Sequence, residues 1–137
     1  MKTTSEFRAI LHQAKLKATP TRLAVLSLLQ KATKPLSIKE IEAKIDSTDT
    51  ATIYRMLESF KEAGIVRAID FQKGFAFFEL NDKNDHHHIV CNSCGRIEDF
   101  VADGEGKLFK QVLKKSKYFT QINDHSLELF GLCKNCN

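Results

Sequence analysis

Four cysteines in the second half of the chain have the spacing of a metal site. They form two CxxC pairs, Cys91 with Cys94 and Cys133 with Cys136, and each pair can present two thiolates from one tight turn. Two such pairs complete a tetrahedral Zn²⁺ site, which has no open position for water and therefore serves structure rather than catalysis. Two disulfides or a thioredoxin-like redox motif are the alternatives. A reducing cytosol disfavours the first, and the lack of a βαβ pattern disfavours the second.

A run of one acidic and three imidazole side chains precedes the first cysteine pair. It is predicted to enter a strand, in which side chains alternate, so that His86 and His88 share one face while Asp85 and His87 share the other. Further donors that could complete the two sets are Glu79 and Asp99 for the first face, and His125 and Glu105 for the second. Mixed imidazole and carboxylate sites accept Zn²⁺, Fe²⁺, Mn²⁺ or Co²⁺. A solvated histidine cluster without a metal is the alternative.

Positive charge is concentrated in the first part of the chain. The 137 residues carry 21 Lys and Arg against 17 Asp and Glu, a net charge of +4. Residues 1–80 hold 13 of the basic and 9 of the acidic residues, and the remainder holds 8 of each. In residues 1–39 the only acid is Glu6, against 8 basic residues. This bias suits binding to a phosphate backbone, with a solvated basic face as the alternative.

Composition and length exclude several classes of protein. A hydrophobic content of 42% and a charged content of 28% are ordinary for a folded domain and argue against disorder. No apolar stretch approaches the ~18 residues that a membrane span needs, and charges interrupt the first fifteen residues, so a cytoplasmic protein is expected. With 6 glycines, no glycine-rich phosphate loop and no HExxH motif, the sequence gives little support to an enzyme.

Helical periodicity dominates the first sixty residues. Helices are predicted over residues 6–16 and 21–31, and Ser37 with Glu40 forms a capping box that starts a third helix. A polar turn cluster at residues 47–50 ends it. A fourth helix is predicted over residues 50–61, with apolar side chains at helical spacing until Gly64, which suits the position just past a helix end.

Two apolar runs then flank a short turn. Residues 65–71 and 75–80 surround residues 72–74 and are predicted to form a β-hairpin. Helix, helix, turn, helix and hairpin is the element order of a winged helix-turn-helix, whose second helix of the pair enters the major groove. On that helix, Arg55 can grip a phosphate or a guanine edge and Tyr54 can contact a thymine methyl. A half-buried aromatic beside a solvated charge is the alternative.

Taken together, these motifs resemble the ferric uptake regulator (Fur) family over nearly the whole chain. The resemblance rests on Thr52-Ile53-Tyr54-Arg55, Ala63-Gly64-Ile65-Val66, Phe78-Glu79-Leu80, the histidine run into Cys91-Asn92-Ser93-Cys94-Gly95, His125-Ser126-Leu127, and Gly131-Leu132-Cys133 closing on Cys136. It implies an α+β protein with a winged helix-turn-helix DNA-binding domain at residues 1–81, a hinge at 82–85, and a small α/β dimerisation and metal-binding domain at 86–137. In that domain, residues 104–117 would form a helix and residues 125–132 the last strand.

The resemblance also implies a role for individual residues. The family's structural zinc ligands resemble Cys91, Cys94, Cys133 and Cys136, and its regulatory metal ligands resemble Glu79, His86, His88 and Asp99. An additional metal site of the family resembles His87, Glu105 and His125, with Asp85 at a position that is often histidine. The family's DNA contacts resemble Lys17, Thr52, Tyr54 and Arg55. The implied protein is a homodimeric repressor of metal uptake or homeostasis genes that binds a double-stranded operator with Fe²⁺, Zn²⁺ or Mn²⁺ as co-repressor.

One departure from the family pattern concerns the loop before the capping box. Family members often place a histidine ligand there, whereas this sequence has Lys34-Pro35-Leu36. Coupling between the domains through metal would then rest on Glu79, and a peroxide sensor, which oxidises such histidines, is disfavoured. A zinc-uptake or peroxide-sensing member of the family is the nearer alternative. A metal-buffering protein and a zinc hydrolase are the remote ones.

Overall fold

The computed structural model describes residues 1–46, 48–81 and 85–137 and divides into two compact units, Met1–Lys83 and Asn84–Asn137. Ser47 of the predicted turn cluster and residues 82–84 of the predicted hinge lie outside the described residues. No helix in the described part of the chain has the length and apolar character to cross a membrane.

The described residues of the first unit form four helices and a three-stranded antiparallel sheet. Its elements are α1 (Thr4–Gln13), α2 (Pro20–Lys31), β1 (Leu36–Ser37), α3 (Ile38–Lys44), α4 (Thr50–Glu62), β2 (Val66–Asp70) and β3 (Ala76–Leu80). The strand order is β1-β3-β2, and the β2–β3 hairpin pairs Arg67 with Glu79. The predicted winged helix-turn-helix is confirmed, with α4 as the second helix of the pair and the hairpin as the wing.

Side-chain caps fix where the helices begin. The Ser37 hydroxyl accepts from the Glu40 N–H and the Glu40 carboxylate accepts from the Ser37 N–H, so the predicted capping box is present at α3. At α4 the Asp49 carboxylate accepts from the Thr52 N–H at 2.8 Å. That backbone hydrogen bond holds the pKa of the Asp49 carboxyl below its usual value. A negative charge therefore caps the start of α4 at neutral pH.

Some predicted boundaries were wrong by a few residues. The first helix covers Thr4–Gln13 instead of 6–16, because Thr3 already caps it and Lys15 adopts a left-handed conformation with φ of 59° that ends it. The short strand β1 was not predicted, since two residues carry no periodicity. It forms because Leu36 pairs with Phe78 of β3.

A single apolar core holds the first unit together. It is built from the inward faces of all four helices and the sheet, and its buried members are Phe7, Leu11, Val25, Leu26, Leu29, Leu36, Ile41, Ile53, Met56, Leu57, Phe60, Val66 and Phe78. On α4, the buried face is the one where apolar side chains recur at helical spacing, as the sequence predicts. Its opposite face is therefore free to carry exposed polar side chains.

The second unit is smaller and has little apolar core. It consists of β4 (His87–Cys91), β5 (Ile97–Phe100), α5 (Glu105–Lys115) and β6 (Glu128–Gly131), with strand order β5-β4-β6. β4 runs antiparallel to β5 and parallel to β6. The predicted helix 104–117 and last strand 125–132 are present in shorter form. Among the described residues of this unit, the buried apolar side chains are Val90 and Cys91.

Candidate metal centres and nucleic-acid interface

Sheet pairing brings the two CxxC pairs together. Cys91 ends β4 and pairs with Gly131, the last residue of the parallel strand β6, so both cysteine turns follow the same edge of the sheet. The four Sγ atoms all lie within 4.8 Å of one another, and those of Cys94 and Cys133 are 3.7 Å apart. All four cysteines are free thiols, which agrees with a metal site rather than with disulfides. The donor set fits tetrahedral Zn²⁺.

Backbone amides prepare one of these sulfurs for metal binding. The N–H groups of Cys94 and Cys133 donate to Cys91 Sγ at 3.5 and 3.4 Å. These two bonds lower the pKa of the Cys91 thiol to about 6. At Cys136, a hydrogen bond with Ser93 lowers the pKa, but the neighbouring thiols outweigh it and raise the pKa to about 11. Without metal, Cys91 is thus the first of the two to ionise.

A second group of donors lies beside the N-terminus of α5. His87, Glu105, His125 and Asp85 each offer one ligand atom within 4.8 Å of the others. Glu105 contacts His87 Nε2 and lies 3.5 Å from His125 Nε2, and Asp85 lies 3.3 Å from the same nitrogen. The rings of Phe100 and Phe109 pack on His87 and His125, which restricts their orientation.

The buried atoms of this second group lie close together without forming hydrogen bonds. His87 Nε2, His125 Nε2 and Glu105 Oε1 are buried and have no hydrogen-bond partner among the described residues, although the Glu105 carboxylate lies beside both nitrogens. Nitrogen and oxygen atoms that approach one another without hydrogen bonds are arranged like the ligands of a divalent cation, so the residues present fit a metal ion.

A third group uses the opposite face of β4. The rings of His86 and His88 meet edge to face with centroids 5.1 Å apart. Asp99 on β5 is the register partner of His88, and its Oδ1 lies 3.4 Å from His88 Nε2. His88 is 1% exposed, so its position is fixed by packing. These three residues of the second unit therefore present imidazole and carboxylate donors that suit a divalent metal.

Glu79, the remaining predicted ligand, lies on β3 in the first unit, where its carboxylate accepts from Arg67. The Arg67 Nε–Glu79 Oε1 distance is 2.5 Å, and the Arg67 Nη2 atom contacts the same oxygen. Sequence reasoning missed this partner. A signal existed, because a hairpin centred on Lys73 places residues 67 and 79 opposite each other.

Helix α4 carries the predicted DNA-reading side chains on its solvent face. Tyr54 is 53% exposed, Arg55 is exposed and Thr52 is half-buried. Ile53 and Met56 are buried on the other side. This helix therefore offers an aromatic ring and a guanidinium group to a partner while its apolar face stays in the core.

Lys17 lies in the loop between α1 and α2 and is exposed. Its carbonyl oxygen accepts from Arg22 Nη1 at 2.8 Å, which ties the loop to the first turn of α2. Arg22 is a further residue that the sequence reasoning did not single out. Its contact restrains the backbone that carries the Lys17 ammonium group.

A winged helix-turn-helix whose second helix exposes a polar face, followed by a unit rich in metal donors, is the arrangement of a metal-binding transcription regulator. The comparison with known proteins specifies the family. The model of the ferric uptake regulator family matches residues 13–130. The chain is 34% identical over 131 residues to a ferric uptake regulation protein of Legionella pneumophila, covering 92% of this chain and 95% of that protein.

Solved structures give the same result. The Vibrio cholerae ferric uptake regulator is 35% identical and superimposes with a TM-score of 0.80, covering 93% of this chain and 99% of that one. The Helicobacter pylori regulator, described as having three functional metal binding sites, is 26% identical with a TM-score of 0.80, covering 98% of this chain and 94% of that one. The chain belongs to the ferric uptake regulator family and is a transcription regulator rather than an enzyme.

The four-thiol site generates a prediction about stability. Cys133→Ser removes one of four zinc ligands, so we expect the zinc content to fall and the melting temperature of the second unit to drop by more than about 10 °C. Lys134→Ala, an exposed change in the same turn, is the control and should leave both values unchanged. Zinc assay by chelator release together with circular dichroism checks this, and a Cys133→Ser protein with unaltered melting would contradict it.

Proposed function

We propose that the chain is a cytoplasmic, homodimeric repressor that binds double-stranded operator DNA when a divalent metal ion occupies its regulatory site. The observation that carries the proposal is that the second unit holds, besides four thiols, two separate sets of imidazole and carboxylate donors. A closed four-thiolate site retains its metal, whereas nitrogen and oxygen sites can exchange metal with the cellular pool. The first site therefore maintains the fold and the others are suited to sensing.

Each donor set has its own assignment in this proposal. The four cysteines hold structural Zn²⁺, and His86, His88 and Asp99 hold the regulatory ion together with Glu79 of the first unit. His87, Glu105 and His125 form the additional site, which Asp85 can join. Support for these assignments comes from the shared face of His86 and His88 and from the buried donor atoms of His87, Glu105 and His125, which converge without forming hydrogen bonds.

Fe²⁺ is the regulatory metal that we propose. Relatives that are 34–37% identical are named ferric uptake regulation proteins, and a donor set of imidazoles and carboxylates accepts Fe²⁺. The same donors accept Mn²⁺ and Zn²⁺, so a zinc-uptake regulator is the second candidate. With Lys34-Pro35-Leu36 where a histidine ligand would stand, this chain is poorly equipped as a peroxide sensor.

The proposed switch is a linkage between metal and DNA binding. When bound, the metal supplies a link between Glu79 and the histidines, so that the state of the protein that binds metal best is also the state that binds the operator best. His88 and Asp99 act as fixed ligands because packing and sheet pairing restrain them. Glu79 carries the coupling to the DNA-binding unit.

Exposed apolar side chains support assembly with a second copy. Helix α5 has no buried residue, and its Leu108 and Val112 are 54% and 50% exposed. On the sheet, Ile89 and its register partner Leu129 are 39% and 42% exposed. A small unit with so little core gains stability when a second copy covers these side chains. A two-fold dimer also presents two copies of α4 to successive major grooves.

Contacts with DNA follow from the exposed side chains of the first unit. Arg55 can read a base edge, Tyr54 can contact a thymine methyl, and Thr52 can bind a phosphate. Lys17 adds a cation at the loop between α1 and α2. The operator itself is expected to be an inverted repeat, because a two-fold dimer reads two equivalent half-sites.

The regulatory site generates the first functional prediction. His88→Ala should weaken regulatory metal binding by more than about a hundredfold, since a ligand is lost, and metal-dependent operator binding should disappear. His12→Ala, which removes an isolated exposed histidine of α1, should retain the response. Zinc content and dimer mass measured on the same samples should match the wild type. Because His88 is buried, the half-buried His86→Ala is a second test. Metal-dependent binding at wild-type strength in both variants would contradict the assignment.

The DNA-binding surface generates a second functional prediction. Lys17→Ala should lower the slope of log Kd against log salt concentration by about two for the dimer, because each copy loses one phosphate contact. Arg55→Ala should weaken binding by about 1–3 kcal/mol and relax sequence preference if it reads a base edge. Lys117→Ala in the second unit is the matched control for charge. Anisotropy of a labelled duplex at several salt concentrations measures these effects, and an unchanged slope for Lys17→Ala would place that lysine away from the backbone of DNA.

A further inference from the structure

We propose that Arg67 competes with the regulatory metal ion for the carboxylate of Glu79 and thereby sets the metal concentration at which the protein responds. The inference rests on the proposed role of Glu79 as a ligand. Arg67 does not itself bind metal. It would weaken metal binding because its guanidinium group holds the Glu79 carboxylate.

The geometry of the pair is that of an engaged carboxylate. Arg67 and Glu79 are register partners in the β2–β3 hairpin, and two guanidinium nitrogens converge on Glu79 Oε1, with Nε at 2.5 Å. The Glu79 side chain is 13% exposed and that of Arg67 is 31% exposed. Partial burial limits screening by water and salt, so this ion pair holds more strongly than an exposed one.

Arginine cannot relieve the competition by losing a proton. Its guanidinium stays protonated throughout the working range of a protein, whereas histidine ligands shed a proton when they bind metal. A metal ion that uses Glu79 must therefore either displace Arg67 from the carboxylate or bind beside a positive charge. Both alternatives reduce the affinity of the site for a divalent cation.

The pair is dispensable for the hairpin itself. Five residue pairs hold β2 against β3, and the buried side chains of Val66 and Phe78 anchor the two strands in the core. A cross-strand charge pair adds little to such a ladder. Loss of Arg67 should thus leave the first unit folded and release the Glu79 oxygen that its guanidinium holds.

The test measures metal binding directly. Zinc-loaded protein is titrated anaerobically with Co²⁺, whose visible absorption reports nitrogen and oxygen coordination, and the phase that His88→Ala abolishes identifies the regulatory site. Arg67→Gln should bind Co²⁺ in this phase at least about fivefold more tightly, because a charge-assisted bond no longer holds Glu79. Arg67→Lys, which keeps the charge without the planar fork, should give a smaller gain. Arg8→Gln, at an exposed position of α1, is the control for net charge and should leave Co²⁺ binding unchanged.

Two further measurements separate competition from a structural role. In a Glu79→Gln background, Arg67→Gln should no longer raise the affinity for Co²⁺, since the carboxylate for which Arg67 and the metal compete is absent. In wild-type protein, the NMR signal of the Arg67 Nε–H should lose its hydrogen-bonded shift when diamagnetic Zn²⁺ fills the regulatory site.

The outcomes distinguish this inference from the function on which it rests. If Glu79→Gln weakens Co²⁺ binding but Arg67→Gln fails to strengthen it, the competition is wrong and the proposed ligand stands. If Glu79→Gln leaves Co²⁺ binding unchanged, Glu79 is not a ligand, and both the assignment and the competition fall.

Discussion

The second unit depends on the meeting of four sulfur atoms from two turns that are distant in the chain. Cys94 and Cys133 are 39 positions apart, and their sulfurs lie 3.7 Å from each other. Closing so long a loop costs conformational entropy. Burial of apolar side chains offsets little of this cost, since the buried apolar residues in the described part of the unit are Val90 and Cys91. A metal bound by the four thiols would provide the missing stabilisation. The β4–β6 pairing leads directly into the two cysteine turns, since Cys91 is the register partner of Gly131, so closure of the thiol site supports the strand that carries His87 and His88.

The histidines owe their different roles to the alternation of side chains along one strand. His87 faces α5 and His125, whereas His88 faces the other way toward His86 and Asp99. Consecutive residues thus serve two donor sets that share no ligand. A shift of β4 by one residue would move each imidazole to the wrong set, so the register of this sheet fixes both donor sets.

Much of this arrangement could be predicted from the sequence. The CxxC spacing, the capping box at Ser37 and the apolar stripe of α4 are local patterns, and local patterns specify local structure. The strand β1 could not be predicted, because it depends on pairing with the distant strand β3. The left-handed Lys15 that shortens α1 and the Arg22 bond to the Lys17 carbonyl are local, but a single backbone angle and one side-chain contact leave no periodic pattern in the sequence. The Arg67–Glu79 pair is intermediate: the hairpin register places the two residues opposite each other, but the contact of two guanidinium nitrogens with one oxygen appears only in the folded structure.

In the proposed regulation, metal binding and DNA binding by this protein are linked. The most direct measurement is the fluorescence anisotropy of a labelled duplex from the region upstream of its own gene, titrated with protein that carries structural zinc, anaerobically and under reducing conditions, with Fe²⁺, Mn²⁺ or Zn²⁺ added or with chelator. We predict tight binding that appears with Fe²⁺ and is lost on chelation. Binding of equal strength with and without every one of these metals would contradict the account.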